Sequence, residues 1–154
     1  MSHWEDYNKA FLADGIRFLC GKPLGEGISR EVFVYAGNPE IVIKVEVHDT
    51  LRFQNVMEYN FWNEIRWQKD LIKWIAPCLR ISPHGNWLLQ QRTMPVTLKE
   101  LRRAHPRVPT WLTDTKVTNW GRNAKGRIVC HDYGTHGAVG CMSKAMKKAD
   151  WWEE

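Results

Sequence analysis

Residues Glu40–Val47 read E-I-V-I-K-V-E-V. A run this rich in β-branched residues is a strand signal, and it limits what the rest of the chain can build. Two more β-type runs precede it, Leu24–Ile28 and Glu31–Tyr35, with Gly37-Asn38-Pro39 as the turn between the last two. Leu79–Ile81 and Trp87–Gln91 follow as a predicted hairpin around Ser82–Asn86. Links this short favour antiparallel pairing. Residues 53–74 carry helical spacing, with Val56, Phe61, Trp62, Ile65, Trp67, Leu71, Ile72 and Trp74 as the apolar positions and Pro77 as the stop. Residues 4–20 read as a first helix, ended by Gly21 and Pro23. The expectation is an α+β fold, a five-stranded antiparallel sheet with one long helix packed on it. Beyond it come a connector with Pro95, Pro106 and Pro109, a helical piece at 98–103, a loop-like stretch at 111–121, a strand at 127–130 and a basic tail helix at 141–150. The predicted divisions are an N-terminal helix at 1–20, the sheet lobe at 21–94 and a reduced second lobe at 95–154.

With 44% apolar and 25% charged residues, the 154-residue chain has globular composition. It has no apolar run of the roughly 18 residues a membrane span needs. The first six residues lack a basic segment followed by an apolar stretch, so no signal peptide is expected. Cys20, Cys78, Cys130 and Cys141 form no C-x-x-C pair, which fits free thiols and a cytoplasmic setting. A net charge of +5 permits an anionic partner without requiring one. None of the six histidines has metal-site spacing beside cysteines.

Four features carry candidate chemistry. Gly25 and Gly27, followed by Ser29, lie between two predicted strands, where glycine lets backbone amides approach a phosphate. Lys44 sits inside the strongest strand, and a lysine there needs a carboxylate to hold it. The long helix offers Glu58 and Glu64. At about 100° per residue, Glu58 falls near the middle of the apolar arc and Glu64 toward its edge. An acid on a buried face is costly unless paired, so Glu58 is the expected partner. Last, Asp114 precedes Asn119 by five residues, and Asp132-Tyr133-Gly134 follows thirteen residues after Asn119. Two carboxylates and a carboxamide on neighbouring loops are hard oxygen ligands suited to Mg²⁺ carrying nucleotide phosphate.

Taken in order, these motifs resemble the protein-kinase-like superfamily over residues 20–135. Gly25-Glu26-Gly27 is similar to the glycine-rich loop, Lys44 to the phosphate-binding strand lysine, Glu58 to the helix glutamate, and Asp114 with Asn119 to the catalytic loop. Lys116 stands where that loop has its lysine, and Asp132-Tyr133-Gly134 resembles D-F-G. The resemblance implies ATP between the lobes with Leu89–Met94, including Gln90 and Gln91, as the hinge beside adenine. It implies Mg²⁺ on Asn119 and Asp132, and Asp114 as catalytic base. The texture is closest to short kinase-like proteins of bacteria and phages, which would place a phage-encoded chain in the host cytoplasm.

The chain departs from that family in three places. Leu112-Thr113 replaces His-Arg before Asp114. Arg30 stands at the third glycine position. Only twenty residues follow Gly134, too few for an activation segment, an A-P-E motif and the substrate-holding helices. Three functions are therefore expected in descending order. The first is a minimal kinase acting on a protein or small-molecule hydroxyl. The second is a pseudokinase-type module that grips a regulatory or host protein. The third is a nucleic-acid binder using Lys99–Arg107 and Lys144–Lys148. The short second lobe is expected to leave apolar surface for a partner or a second copy. Trp151-Trp152 is expected either to dock on the domain or to anchor a partner.

Overall fold

The computed structural model describes residues 3–27, 30–46, 53–134 and 144–154, with side chains omitted at 3–5 and 26. It is α+β. Helix α1 (His3–Leu19) leads directly into β1 (Cys20–Glu26), followed by β2 (Arg30–Tyr35), β3 (Ile41–Glu46), α2 (Gln54–Ile65), a short α3 (Lys69–Ile72), β4 (Cys78–Ile81) and β5 (Trp87–Gln91). The five strands form one antiparallel sheet in the order β1-β2-β3-β5-β4. This is the sheet expected from the β-type runs and their short links.

Gly21 and Pro23 lie inside β1 instead of closing α1. The strand tolerates them because it is the sheet's edge, and its register with β2 shifts on both sides of Pro23. The central strand β3 is buried along Val42, Ile43, Lys44 and Val45. Cross-strand register puts Lys44 opposite Leu88, and Val42 opposite Gln90, on one face; Val45 lies opposite Trp87 on the other. Helix α1 covers the Trp87 face: a Cβ on Gly15 would come within 3.0 Å of that indole. Helix α2 covers the Lys44 face with Asn55, Glu58, Phe61 and Ile65 buried.

The predicted helix over 53–74 is two helices. Its apolar periodicity continues past Ile65, but the chain turns at Arg66–Gln68 and again at Trp74. There the Trp74 carbonyl accepts from Cys130 N–H, and Ala76 N–H donates to the Cys130 carbonyl. Pairing with Cys130, 54 to 56 residues further along the chain, overrides local helix preference.

The remainder of the described chain is built of short elements. It contains β6 (Met94–Pro95), α4 (Leu98–Ala104), β7 (Arg107–Pro109), a 3₁₀ turn (Val117–Asn119), β8 (Trp120–Arg122), β9 (Ile128–Cys130) and β10 (Met146–Lys148). Thr97 and Glu100 form a capping box at the start of α4. The stretch expected as loop thus ends in a turn and a strand. Among the described residues the expected tail helix is absent: Met146–Lys148 pairs antiparallel with β7, placing Lys148 opposite Arg107. Phe61, Ile65, Leu101, Leu112, Trp120 and Tyr133 belong to one core cluster that runs through both lobes. Trp151 docks on the domain, edge-on to Trp120 at 4.9 Å, with its indole N–H donating to the His105 carbonyl at 2.9 Å. Among the described residues no helix is long and apolar enough to cross a membrane.

Candidate functional site

Glu58 is the centre of the site. It lies one turn into α2, fully buried, and both carboxylate oxygens are saturated. Oε1 accepts from Lys44 Nζ at 2.5 Å and from Gln90 Nε2 at 3.2 Å. Oε2 accepts from Arg30 Nη2 at 3.2 Å and from the backbone N–H groups of Tyr133 and Gly134 at 3.0 and 3.1 Å. Burial alone would raise its pKa. The charges of Arg30 and Lys44 and their hydrogen bonds outweigh that and hold the carboxyl at about 2. One side chain thus ties the central strand, the start of β2 and the Asp132 loop to α2.

Lys44, 2% exposed, also donates to the His131 carbonyl. Of the two candidate acids, then, the structure pairs the strand lysine with Glu58. Gly134 lets the Asp132 loop come this close. A Cβ there would stand 2.8 Å from the Gln54 carbonyl oxygen, in the first turn of α2. Tyr133 is buried behind it, its hydroxyl donating to the Ala76 carbonyl at 2.6 Å and its ring 5.5 Å from Phe61.

Arg30 and Asn55 are the two members that sequence reasoning missed. Arg30 is 4% exposed. Its guanidinium donates to Asn55 Oδ1 at 3.1 Å, to Glu58, and to Asp132 Oδ1 at 2.7 Å. Asn55 is itself fixed: its N–H donates to Glu46 Oε1, and its Nδ2 faces the carbonyls of Lys44, Gly85 and Asn86. The sequence signal for Arg30 is its place at the third glycine position.

Of the loop residues, Asn119 is tied to the site through His131. His131 N–H donates to the Asn119 carbonyl at 2.8 Å, setting Asn119 beside the residue that precedes Asp132. His131 Nε2 lies 2.9 Å from the Thr118 carbonyl, and Nδ1 lies 2.7 Å from the Thr93 hydroxyl. A carbonyl can only accept, so Nε2 carries the proton and Nδ1 accepts from Thr93. Burial first, then the neighbouring Lys44 charge, lowers this imidazole to about 4, so it is neutral at pH 7. Asp114 Oδ1 accepts from Lys116 N–H at 3.0 Å. The Lys116 ammonium lies 2.6 Å from Glu154 Oε1 and 5.3 Å from the centre of the Trp152 ring.

Other predicted site residues are placed less simply. Leu89, Gln90 and Gln91 lie within β5, between β3 and β4, so sheet partners flank them on both edges. Arg92 N–H donates to the Glu40 carbonyl at 2.9 Å, and Gln90's side chain serves Glu58. Neither Gly25 nor Gly27 has positive φ, and a Cβ at Gly25 would meet nothing within 4 Å. Ser29 lies outside the described residues. Burial raises the Cys78 thiol to about 12 and Cys130 well above its ordinary value, so neither is a nucleophile at neutral pH. No group of three or more His, Cys, Asp and Glu suited to a metal occurs among the described residues.

A divalent ion on Asp132 does not fit while Arg30 holds that carboxylate. A dication about 5 Å from a guanidinium would be repelled by about 7 kcal/mol at an effective dielectric near 20. That offsets much of what a single carboxylate offers. Arg30, Lys44, Glu58 and Asp132 already sum to zero charge.

No family model matches the sequence, and no curated protein matches it. Among solved structures, the streptomycin–ATP–APH(2")-IIa ternary complex is similar to this chain with a TM-score of 0.41 at 14% identity. The match covers 67% of this chain and 34% of that one, so the chain spans about a third of that structure's length.

Proposed function

We propose that the chain binds ATP at a kinase-like site and transfers its terminal phosphoryl group to a hydroxyl of a protein or small molecule. The observation that carries this reading is the buried Lys44–Glu58 pair, whose carboxylate also takes the two amides that follow Asp132. It fixes a lysine charge at the junction of the sheet and the Asp132 loop. Two of the three ammonium protons are engaged, by Glu58 and by the His131 carbonyl. In the proposed step, the acceptor oxygen forms a bond to the γ-phosphorus. The bond from that phosphorus to the β–γ bridging oxygen breaks, ADP leaves, and the hydroxyl proton passes to Asp114. Lys116 would neutralise charge on the transferring group.

A second reading, a pseudokinase-type module that grips another protein, is favoured by one observation. Asp132 and Lys116, both needed for transfer, are held by Arg30 and Glu154 of the same chain. The strongly exposed Phe11, Phe18 and Trp67 offer a partner surface, and they lie on α1 and just past α2 rather than on the short second lobe. The test is a thermal shift with millimolar ATP, followed by incubation with labelled ATP and cell lysate. Transfer that Asp114→Ala abolishes, with the thermal shift retained, supports the first reading. A shift without transfer favours the second. No shift under any nucleotide condition overturns the first.

A further inference from the structure

We infer that Arg30 serves as the resident cation of this site: it keeps divalent metal off Asp132, and the site takes nucleotide triphosphate in metal-free form. The metal-free half rests on the nucleotide reading above; the exclusion of metal does not.

The geometry is that of a built position. Arg30 opens β2 three residues after Gly27, its backbone paired in register with Glu46. Its guanidinium then crosses to α2, where Asn55 receives one nitrogen and Glu58 and Asp132 share the other. Asn55 cannot yield easily, because Glu46 holds its amide and three carbonyls surround its side-chain nitrogen. Arg30 is therefore preorganised, at a burial where an unpaired charge is costly.

A metal on Asp132 would have to displace the guanidinium or tolerate it. Displacement leaves two buried cations, Arg30 and Lys44, on the single carboxylate of Glu58. Tolerance adds two positive charges to a cluster that is already neutral. Both routes penalise metal. A nucleotide triphosphate loaded without metal brings no cation to the guanidinium and so meets neither penalty. Asp132, 44% exposed and held through Oδ1, thus meets a metal with a guanidinium already on it, and the residue at the missing third glycine supplies that charge.

Mn²⁺ titration followed by electron paramagnetic resonance tests the exclusion directly. Wild type should leave the free-ion signal unchanged through millimolar Mn²⁺. Arg30→Gln should gain one site, and Arg30→Gln/Asp132→Asn should lose it. A wild-type site that Asp132→Asn removes overturns the inference, and this comparison stands even if Arg30→Gln fails to fold. The second arm is the ATP thermal shift in excess EDTA against the same titration with Mg²⁺. A shift in EDTA at least as large as with Mg²⁺ is expected. A shift only with Mg²⁺ overturns metal-free loading while leaving the nucleotide reading intact. No shift in either overturns both, with the Mn²⁺ comparison still deciding what Arg30 does to metal.

Discussion

Glu58 couples the site to acid stability. Its folded pKa near 2 lies below the ordinary 4.5, so its contribution is complete above pH 4.5 and is lost as pH falls toward 2. The shift corresponds to about 3 kcal/mol at neutral pH. His131 acts in a different window. Its folded pKa of about 4 lies below 6.5, so the unfolded chain takes up a proton first and stability declines as pH falls from 6.5 to 4. Urea denaturation across pH should therefore show two successive losses. His131→Asn should flatten the upper one alone, and an unchanged slope between pH 6.5 and 4 in that variant would refute the assignment. Glu58→Gln removes the charge that two buried cations share and should cost about 3–5 kcal/mol at pH 7. A cost under about 1 kcal/mol would mean that Lys44 and Arg30 find other partners. The Lys44–Glu58 pair was legible in the sequence because a lone acid in the middle of an apolar helical arc demands a cation. Arg30 and Asn55 were not. An arginine after a glycine turn and an asparagine at a helix start are ordinarily solvated; here Asn55 is held by β3 and the β4–β5 turn, and Arg30 by α2 and Asp132.

The elements were legible wherever local signal and tertiary demand agree. β3 is strand by composition and central by position, and α4 carries its own capping box. They failed where pairing across long sequence distance decides. Met146–Lys148 is basic and lacks strand periodicity, yet β7 recruits it. The helix ending at Ile65 breaks because Trp74 and Ala76 must reach Cys130. The contact between α2 and the Asp132 loop is tight enough to test through Gly134. In Gly134→Ala the new methyl meets the Gln54 carbonyl, which is backbone and cannot swing away. The variant should lose about 1–3 kcal/mol by overpacking. Amide exchange should quicken first at the start of α2, where the loop is pushed off. Unaltered exchange over Gln54–Glu58 would show that the loop moves alone and that α2 does not depend on it.

At the scale of the whole molecule, the C-terminal residues pack back on the segment that follows β7. Trp151 is buried against Trp120 and bonded to His105, the Thr115 hydroxyl donates to the Asp150 carbonyl, and Val117 N–H donates to the Trp152 carbonyl at 2.9 Å. The tail thus braces the loop that carries Asp114, Lys116 and Asn119. Its energy should be concentrated in the indole. Trp151→Ala removes a buried ring and one hydrogen bond and should cost about 3–5 kcal/mol. Glu154→Gln breaks a salt bridge whose carboxylate stands largely in water and should change stability by less than about 1 kcal/mol. Because the indole supports the loop and the carboxylate only neutralises its lysine, the two variants should also part in their readouts. Trp151→Ala should loosen amide protection across Thr115–Trp120, whereas Glu154→Gln should leave it as in wild type. Equal protection in both, or a Trp151→Ala cost within experimental error, would show that the loop is held by the sheet β6-β8-β9 alone.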